Sequence, residues 1–131
     1  MKRCVVFDNA PIIRKVAKRI LSDDDMVVIE AESGRDMLAK AEFDMPDFFL
    51  IDAGVRDMEL NDVIATIRRM KAKVRPFIIV SMHELDIVLM ARAKRVGADE
   101  LLLKPFDRKM LISQFEDFER RALEEAAAAA A

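Results

Sequence analysis

Side chains suited to phosphoryl chemistry follow four short apolar runs of this sequence. These side chains are Asp8 and Asn9, Asp52, Ser81 and Lys104. A carboxylate can attack phosphorus as a nucleophile, and an ammonium group can hold a phosphoryl oxygen as a point charge. Carboxylate and amide oxygens are also the ligands that a hard cation such as Mg²⁺ prefers. Phosphoryl transfer depends mostly on positioning and charge neutralisation, so these groups would act only if the fold brings them together.

Two alternating periodicities predict the elements that position these residues. Short β-type runs cover residues 4–7, 26–29, 48–51, 77–80 and 101–103, and helical patterns lie between them. Continuous apolar strands that alternate with helices are typical of a parallel sheet covered on both faces. The pattern therefore predicts a (βα)5 architecture. Such sheets bind ligands at the carboxyl ends of their strands, where the polar residues lie.

Apolar residues at helical spacing predict which helix faces pack on the sheet. The predicted stripes are Ile13, Val16, Ala17 and Ile20 in the first helix, and Leu85, Leu89, Ala93 and Val96 in the fourth. Arg14 and the other basic residues of the first helix are expected mostly on its remaining faces. Ser33 and Asp107 suit helix N-caps, and Gly97 suits a helix C-terminus.

The composition is that of one domain. The chain has 131 residues, 53% of them apolar, and a formal net charge of −2 that gives no indication of nucleic-acid binding. Its single cysteine, Cys4, excludes an intramolecular disulfide and is expected to be a small buried residue. No signal-peptide pattern and no apolar stretch of ~18 residues is present, so a cytoplasmic location is expected. We expect one domain over residues 1–121, no DNA-binding domain, and an alanine-rich tail over 122–131 that is either a helical extension or disordered.

The combined pattern resembles the receiver domains of response regulators in two-component signalling, in particular single-domain receivers of the chemotaxis type. The resemblance covers about residues 2–118. It rests on the Asp8-Asn9 turn that enters the first helix, on residues 46–52 ending in Asp52, and on residues 77–81 ending in Ser81. It rests also on the segment from Gly97 to Asp99 and on the Lys104-Pro105 junction that follows the last strand.

The resemblance implies a doubly wound, flavodoxin-like receiver fold in which Asp52 accepts a phosphoryl group. The donor would be a partner histidine kinase or phosphotransfer protein. Asp8, Asn9, Asp52 and the backbone carbonyl of Gly54 would surround Mg²⁺. Ser81 and Lys104 would sense the phosphoryl group. A monomer or weak dimer would then signal to a downstream protein target, and the chain would not be an enzyme.

Four positions depart from the pattern of the family. Asn9 replaces a second acidic residue, and the loss of one unit charge at ~4 Å costs roughly 1–4 kcal/mol, depending on the dielectric. Mg²⁺ affinity is therefore expected to fall about tenfold or more. Met82 stands at a position that a small residue usually occupies, and its bulk could narrow access to the site. The loop of residues 53–57 lacks the usual proline after the acceptor, and Arg56 within it either tunes access to the site or is simply solvated. Leu101 replaces the usual aromatic switch residue, so it lacks both ring and hydroxyl.

Two surface features remain open from the sequence. Ile87, Met90 and Leu101 either form an apolar partner face or are scattered surface hydrophobes, which are common. The basic residues between Arg68 and Arg75 are interpreted as a solvated helix end, with an anionic ligand or acidic partner as the alternative.

Competing functions differ in the residues they require. A degenerate receiver could act as a phosphorylation-independent adaptor or bind an anionic nucleotide, and Asn9, Met82 and Leu101 favour it. A haloacid-dehalogenase-like phosphatase would need Asp-x-Asp after the first strand, but the second position is Ala10. With three glycines in all, the chain has neither a G-x-G-x-x-G nor a Walker loop.

Overall fold

The computed structural model describes residues 1–130, in which five strands alternate with five helices. The strands are β1 Lys2–Phe7, β2 Met26–Ala31, β3 Phe48–Asp52, β4 Phe77–Met82 and β5 Glu100–Leu103. The helices are α1 Pro11–Leu21, α2 Gly34–Phe43, α3 Leu60–Arg69, α4 Ile87–Val96 and α5 Arg108–Ala130. No helix within these residues is both long and apolar enough to cross a bilayer.

The five strands form one sheet in the order β2-β1-β3-β4-β5, and every pairing is parallel. Two apolar clusters lie on its two faces. One contains residues of α2, α3 and α4, and the other contains residues of α1 and α5. Helices therefore cover both faces, which explains why β3 and β4 are buried along their whole length. The prediction of a doubly wound five-stranded parallel sheet is confirmed.

The helix ends predicted at Ser33, Asp107 and Gly97 are confirmed. The side chain of Ser33 accepts a hydrogen bond from the Asp36 amide at 3.0 Å, and Asp107 accepts one from the Met110 amide at 2.8 Å. Gly97 ends α4 with a φ of 122°, a conformation that favours glycine.

Cys4 is buried beneath α1 and α5, and burial raises the pKa of its thiol.

Two helix-face predictions are wrong. In α1, Val16 is 45% exposed, whereas Arg14 is only 9% exposed and faces the protein interior. Arg14 tolerates this position because its guanidinium is paired there, as described below. Leu85 is 68% exposed and precedes α4, because Asp86 caps that helix by accepting a hydrogen bond from the Leu89 amide at 3.0 Å.

Helix α5 continues to Ala130, so residues 122–130 are helical, while Ala131 lies outside the described residues. Ion pairs tie this helix to the sheet before the alanine-rich segment begins. Lys2 Nζ lies 2.6 Å from Glu119 Oε1, and Arg121 Nη2 lies 2.8 Å from Glu100 Oε1.

The interpretation of the basic residues at the end of α3 as a solvated helix end is wrong for Arg68. Its guanidinium donates hydrogen bonds to the carbonyl oxygens of Gly97 and Pro76 and forms an ion pair with Asp99 at 2.9 Å. Arg75 pairs with the same Asp99 carboxylate at 2.7 Å. These bonds join the ends of α3 and α4 to the starts of β4 and β5.

Candidate functional site

The carboxyl ends of the strands bring the predicted chemical residues to one edge of the sheet. Asp8 follows β1, Asp52 ends β3, Ser81 lies in β4 and Lys104 follows β5. Asp52 and Ser81 are directly paired in register across β3 and β4. Asp8, Asp52 and Ser81 are all buried. The edge therefore presents two carboxylates, a hydroxyl and an ammonium group within one small region.

Lys104 joins the two carboxylates. Its ammonium group lies 2.6 Å from Asp52 Oδ1 and also donates to Asp8 Oδ2, and all three side chains are at most 7% exposed. Burial on its own would lower the pKa of Lys104, but the hydrogen bonds and charges of Asp52 and Asp8 outweigh it and raise that pKa. Lys104 is thus held as a cation between two anions.

Asp52 is fixed by its backbone and by the loop that follows it. The Ala53 amide donates to the Ser81 carbonyl at 2.8 Å, which extends the β3–β4 ladder past the end of β3. The Gly54 amide donates to Asp52 Oδ2 at 3.0 Å. A Cβ atom at Gly54 would lie 2.9 Å from that same oxygen, so a larger residue there would require the Asp52 carboxylate to shift. Both carboxylate oxygens of Asp52 therefore accept a hydrogen bond.

The turn that carries Asp8 and Asn9 is held by a buried arginine that sequence reasoning missed. Arg14 Nη1 donates to the Asp8 carbonyl at 2.7 Å, and its Nε lies 3.3 Å from Glu30 Oε1. Lys15 pairs with the second oxygen of Glu30 at 3.3 Å. Burial would raise the pKa of Glu30, but hydrogen bonds from Lys15 and Arg14 lower it.

Asn9 reaches across the site to the loop after β3. Its side-chain nitrogen donates to the Gly54 carbonyl at 2.5 Å. The same carbonyl was the predicted backbone ligand of Mg²⁺.

The oxygen atoms at this edge suit a hard divalent cation, although the ligand set carries less negative charge than one with a second acidic residue at position 9. Asp8 and Asp52 supply carboxylate oxygens and Gly54 a neutral oxygen. Within residues 1–130, no group of three or more His, Cys, Asp or Glu side chains is placed to hold a metal ion.

Asp57, a second residue that sequence reasoning missed, anchors the far end of the loop. Asp57 accepts hydrogen bonds from the Gly34 amide at 2.8 Å and the Arg35 amide at 3.0 Å, at the start of α2. These backbone hydrogen bonds lower the pKa of Asp57. A carboxylate at a helix N-terminus is favourable because the first amides of a helix lack intrahelical acceptors. The loop is therefore fastened at Gly54 by Asn9 and at α2 by Asp57.

Comparison with known proteins identifies the family. The family model described as "Response regulator receiver domain" matches residues 4–116. This chain belongs to the response regulator receiver family. It is 26% identical over 117 residues to the chemotaxis protein CheY of Listeria monocytogenes, covering 88% of this chain and 97% of that protein. It is 29% identical over 111 residues to the protein PilG of Pseudomonas aeruginosa, covering 84% and 82% of the two chains.

Solved structures agree with the receiver fold. The chemotaxis protein CheY4 of Vibrio cholerae superposes with a TM-score of 0.82 at 25% identity, covering 89% of this chain and 98% of that chain. A CheY-like receiver domain protein of Methanospirillum hungatei superposes with a TM-score of 0.86 at 21% identity, covering 95% and 98%. The predicted family and fold are thereby confirmed.

The atypical positions of this receiver occupy different environments. Met82 is buried at the end of β4, where its carbonyl accepts a hydrogen bond from the Lys104 amide at 2.7 Å. Arg56 is exposed in the loop after β3. Leu101 is partly buried and packs against the α2–α4 face of the core. Ile87 is exposed on the first turn of α4, and Met90 is partly buried one turn later.

A mostly apolar cavity of about 370 Å³ opens beside the site. It is lined by Ile13, Val16, His83, Lys104, Pro105 and Phe106. The exposure of Val16, which contradicts its predicted place in the core, makes it part of this lining. Lys104 thus borders both the carboxylate pair and an apolar surface of α1.

Proposed function

We propose that this receiver accepts a phosphoryl group on Asp52 and signals through protein–protein contacts. The observation that carries the proposal is the Lys104 ammonium group, which lies between the buried carboxylates of Asp8 and Asp52. A buried cation held at a carboxylate nucleophile can neutralise the oxygens of an incoming phosphoryl group without further rearrangement of the sheet.

The proposed transfer is a substitution at phosphorus. An oxygen of Asp52 forms a bond to phosphorus while the phosphorus–nitrogen bond of a partner's phosphohistidine breaks, and the imidazole leaves with the electron pair. Lys104 exchanges its contact with Asp52 for a phosphoryl oxygen, and Ser81, paired in register with Asp52, offers a hydroxyl to another. Mg²⁺ held by Asp8, Asp52 and the Gly54 carbonyl would supply additional neutralisation of phosphoryl charge.

The partners in this proposal are a histidine kinase or phosphotransfer protein upstream and a protein target downstream. Asp52 is consumed by the transfer and regenerated by hydrolysis, so the chain acts as a signalling domain rather than an enzyme. Residues 1–121 form the receiver, and residues 122–130 extend its last helix.

The test is direct phosphorylation by a small-molecule phosphodonor across an Mg²⁺ titration, followed by the mass of the intact protein. The wild type should gain the mass of one phosphoryl group in an Mg²⁺-dependent manner, and Asp52→Asn should gain none. Asp62→Asn is the matched control, because Asp62 is exposed on α3. Labelling that persists in Asp52→Asn would show that another residue is the acceptor.

A second candidate is a receiver that binds its partner, or an anionic nucleotide, whatever the state of Asp52. The hydrogen bond from Asn9 to the Gly54 carbonyl favours it, because that bond holds the acceptor loop without any phosphoryl group. Backbone NMR spectra with and without a phosphoryl mimic separate the two candidates. Shift changes that extend beyond the site to α4 and β5 support a switch. Changes confined to the site support the phosphorylation-independent adaptor.

A further inference from the structure

Asn9 contacts the loop after β3 through a group that differs from the one a metal ligand would use. Its side-chain nitrogen, and not its carbonyl oxygen, lies 2.5 Å from the Gly54 carbonyl. A backbone carbonyl can only accept a hydrogen bond, so the NH₂ end of the amide must face it. The orientation of Asn9 is therefore fixed by the chemistry of its partner.

The Gly54 peptide is held on both sides. Its amide donates to Asp52 Oδ2 at 3.0 Å, and its carbonyl accepts from Asn9. A Cβ atom at Gly54 would lie 2.9 Å from the Asp52 carboxylate, which is too close without a shift, and 3.5 Å from the Asn9 nitrogen, an ordinary contact distance. Asn9 in turn is presented by a turn that Arg14 fixes through the Asp8 carbonyl.

An NH₂ group at this position repels a cation, whereas a metal ligand would attract it. Its hydrogens carry partial positive charge and point at the oxygen that a cation would need. A cation can bind the Gly54 carbonyl favourably only if the Asn9 amide turns away, and the hydrogen bond between them is then lost. The free energy of this lost hydrogen bond and the weaker attraction due to the missing carboxylate both reduce the Mg²⁺ affinity.

We propose that Asn9 is a positioning residue that holds the Gly54 carbonyl in the metal-free state and competes with the divalent cation for it, rather than a metal ligand. The inference deepens the proposed function, because it concerns the cation at the same acceptor site. It predicts that the hydrogen bond of Asn9, as well as its missing charge, lowers the Mg²⁺ affinity.

The test compares Asn9→Ala with the wild type in two measurements that need no phosphorylation. Mg²⁺ titration calorimetry should give a dissociation constant at or below the wild-type value, because a competing donor has been removed. Amide hydrogen exchange in EDTA should be about fivefold faster at Gly54, because opening of the loop no longer has to break the Asn9 bond. The factor of about five corresponds to the loss of a net ~1 kcal/mol hydrogen bond. A rise of about tenfold in the Mg²⁺ dissociation constant would make Asn9 a ligand and overturn the proposal, as would unchanged exchange at Gly54.

Asn9→Asp provides an isosteric second variant. A carboxylate cannot donate to the Gly54 carbonyl, so exchange at Gly54 in EDTA should again rise, while the added charge should tighten Mg²⁺ binding about tenfold or more. Slow exchange in this variant would contradict the proposed role. Asn61→Ala, at the other asparagine of the chain, should change neither measurement. A wild type that cannot be phosphorylated would refute the proposed function but leave both Asn9 measurements interpretable.

Discussion

Replacing Lys104 by methionine removes the cation of the site and keeps most of its apolar stem. The Lys104, Asp8 and Asp52 side chains are at most 7% exposed, so Lys104→Met leaves two buried carboxylates facing one another without a counter-charge. Breaking a buried ion pair by removing one partner costs about 3–5 kcal/mol. We expect a loss of ~3 kcal/mol in EDTA at neutral pH, near the low end of that range because the site lies at an edge of the sheet. This is a large share of the ~5–15 kcal/mol that stabilises a typical domain.

Urea unfolding followed by far-ultraviolet circular dichroism measures this loss, since the chain contains no tryptophan or tyrosine for fluorescence. Saturating Mg²⁺ should reduce the difference between variant and wild type, because a cation between Asp8 and Asp52 replaces the missing ammonium charge. Lys15→Met is the control. Lys15 is 66% exposed beside Glu30, and exposed pairs contribute ~0–1 kcal/mol. A loss below ~1 kcal/mol in EDTA, or an equal loss with and without Mg²⁺, would refute the reasoning.

Three further predictions concern pH and the backbone. Because its partners raise the pKa of Lys104, its stabilising contribution should be complete below pH ~10.4 and should fall as the pH rises through the folded-state pKa. Urea unfolding of wild type and Lys104→Met across this range checks it. Gly97→Ala should lower stability by about 1–3 kcal/mol, since φ is 122° and the new Cβ would lie 2.9 Å from the Arg68 side chain; an unchanged melting temperature would contradict this. Because the pKa of Asp57 is lowered, the stability difference between wild type and Asp57→Ala should be complete above pH ~3.9 and should be lost as the pH falls through the lower folded-state pKa. A difference that persists in acid would exclude the Asp57 carboxylate as its source.

The location of the chemistry could be predicted from strand order alone. The carboxyl ends of parallel strands share one edge of the sheet, so Asp8, Asp52 and Lys104 were expected at the same edge once the strands were assigned. This inference needs no side-chain geometry. It holds although several strands are a residue or two longer than the sequence pattern indicated, as at β1, which begins at Lys2 rather than Cys4.

The supporting residues were harder to predict because they break the hydrophobic pattern. Periodicity places apolar residues inside, but Arg14 can be buried when its donors meet the Asp8 carbonyl and Glu30. Nothing in the local sequence marks that pairing, which spans 16 residues to Glu30. The error at Leu85 was avoidable. Asp86 is a favoured N-cap residue three positions before Leu89, and this pattern signals the true start of α4.

Two kinds of restraint hold the edge of the sheet that carries Asp52. The strand ends are fixed by backbone hydrogen bonds, from the Ala53 amide to the Ser81 carbonyl and from the Lys104 amide to the Met82 carbonyl. These bonds continue the ladder of a sheet that is covered on both faces. They are expected to open only when the core itself opens.

The loop after Asp52 has weaker restraints. It depends on the hydrogen bond of Asn9 to Gly54 and on those of Asp57 to the first amides of α2. The neutral bond of Asn9 contributes about 0.5–1.5 kcal/mol and each bond to the Asp57 carboxylate about 1.5–3 kcal/mol, so a change of charge on Asp52 can break the bond of Asn9 most easily while the strand ends stay in place. Leu101 packs against the core and has no hydroxyl to follow such a change. If Asp52 accepts a phosphoryl group as proposed, we therefore expect the loop around Gly54 to change conformation most readily, ahead of β5.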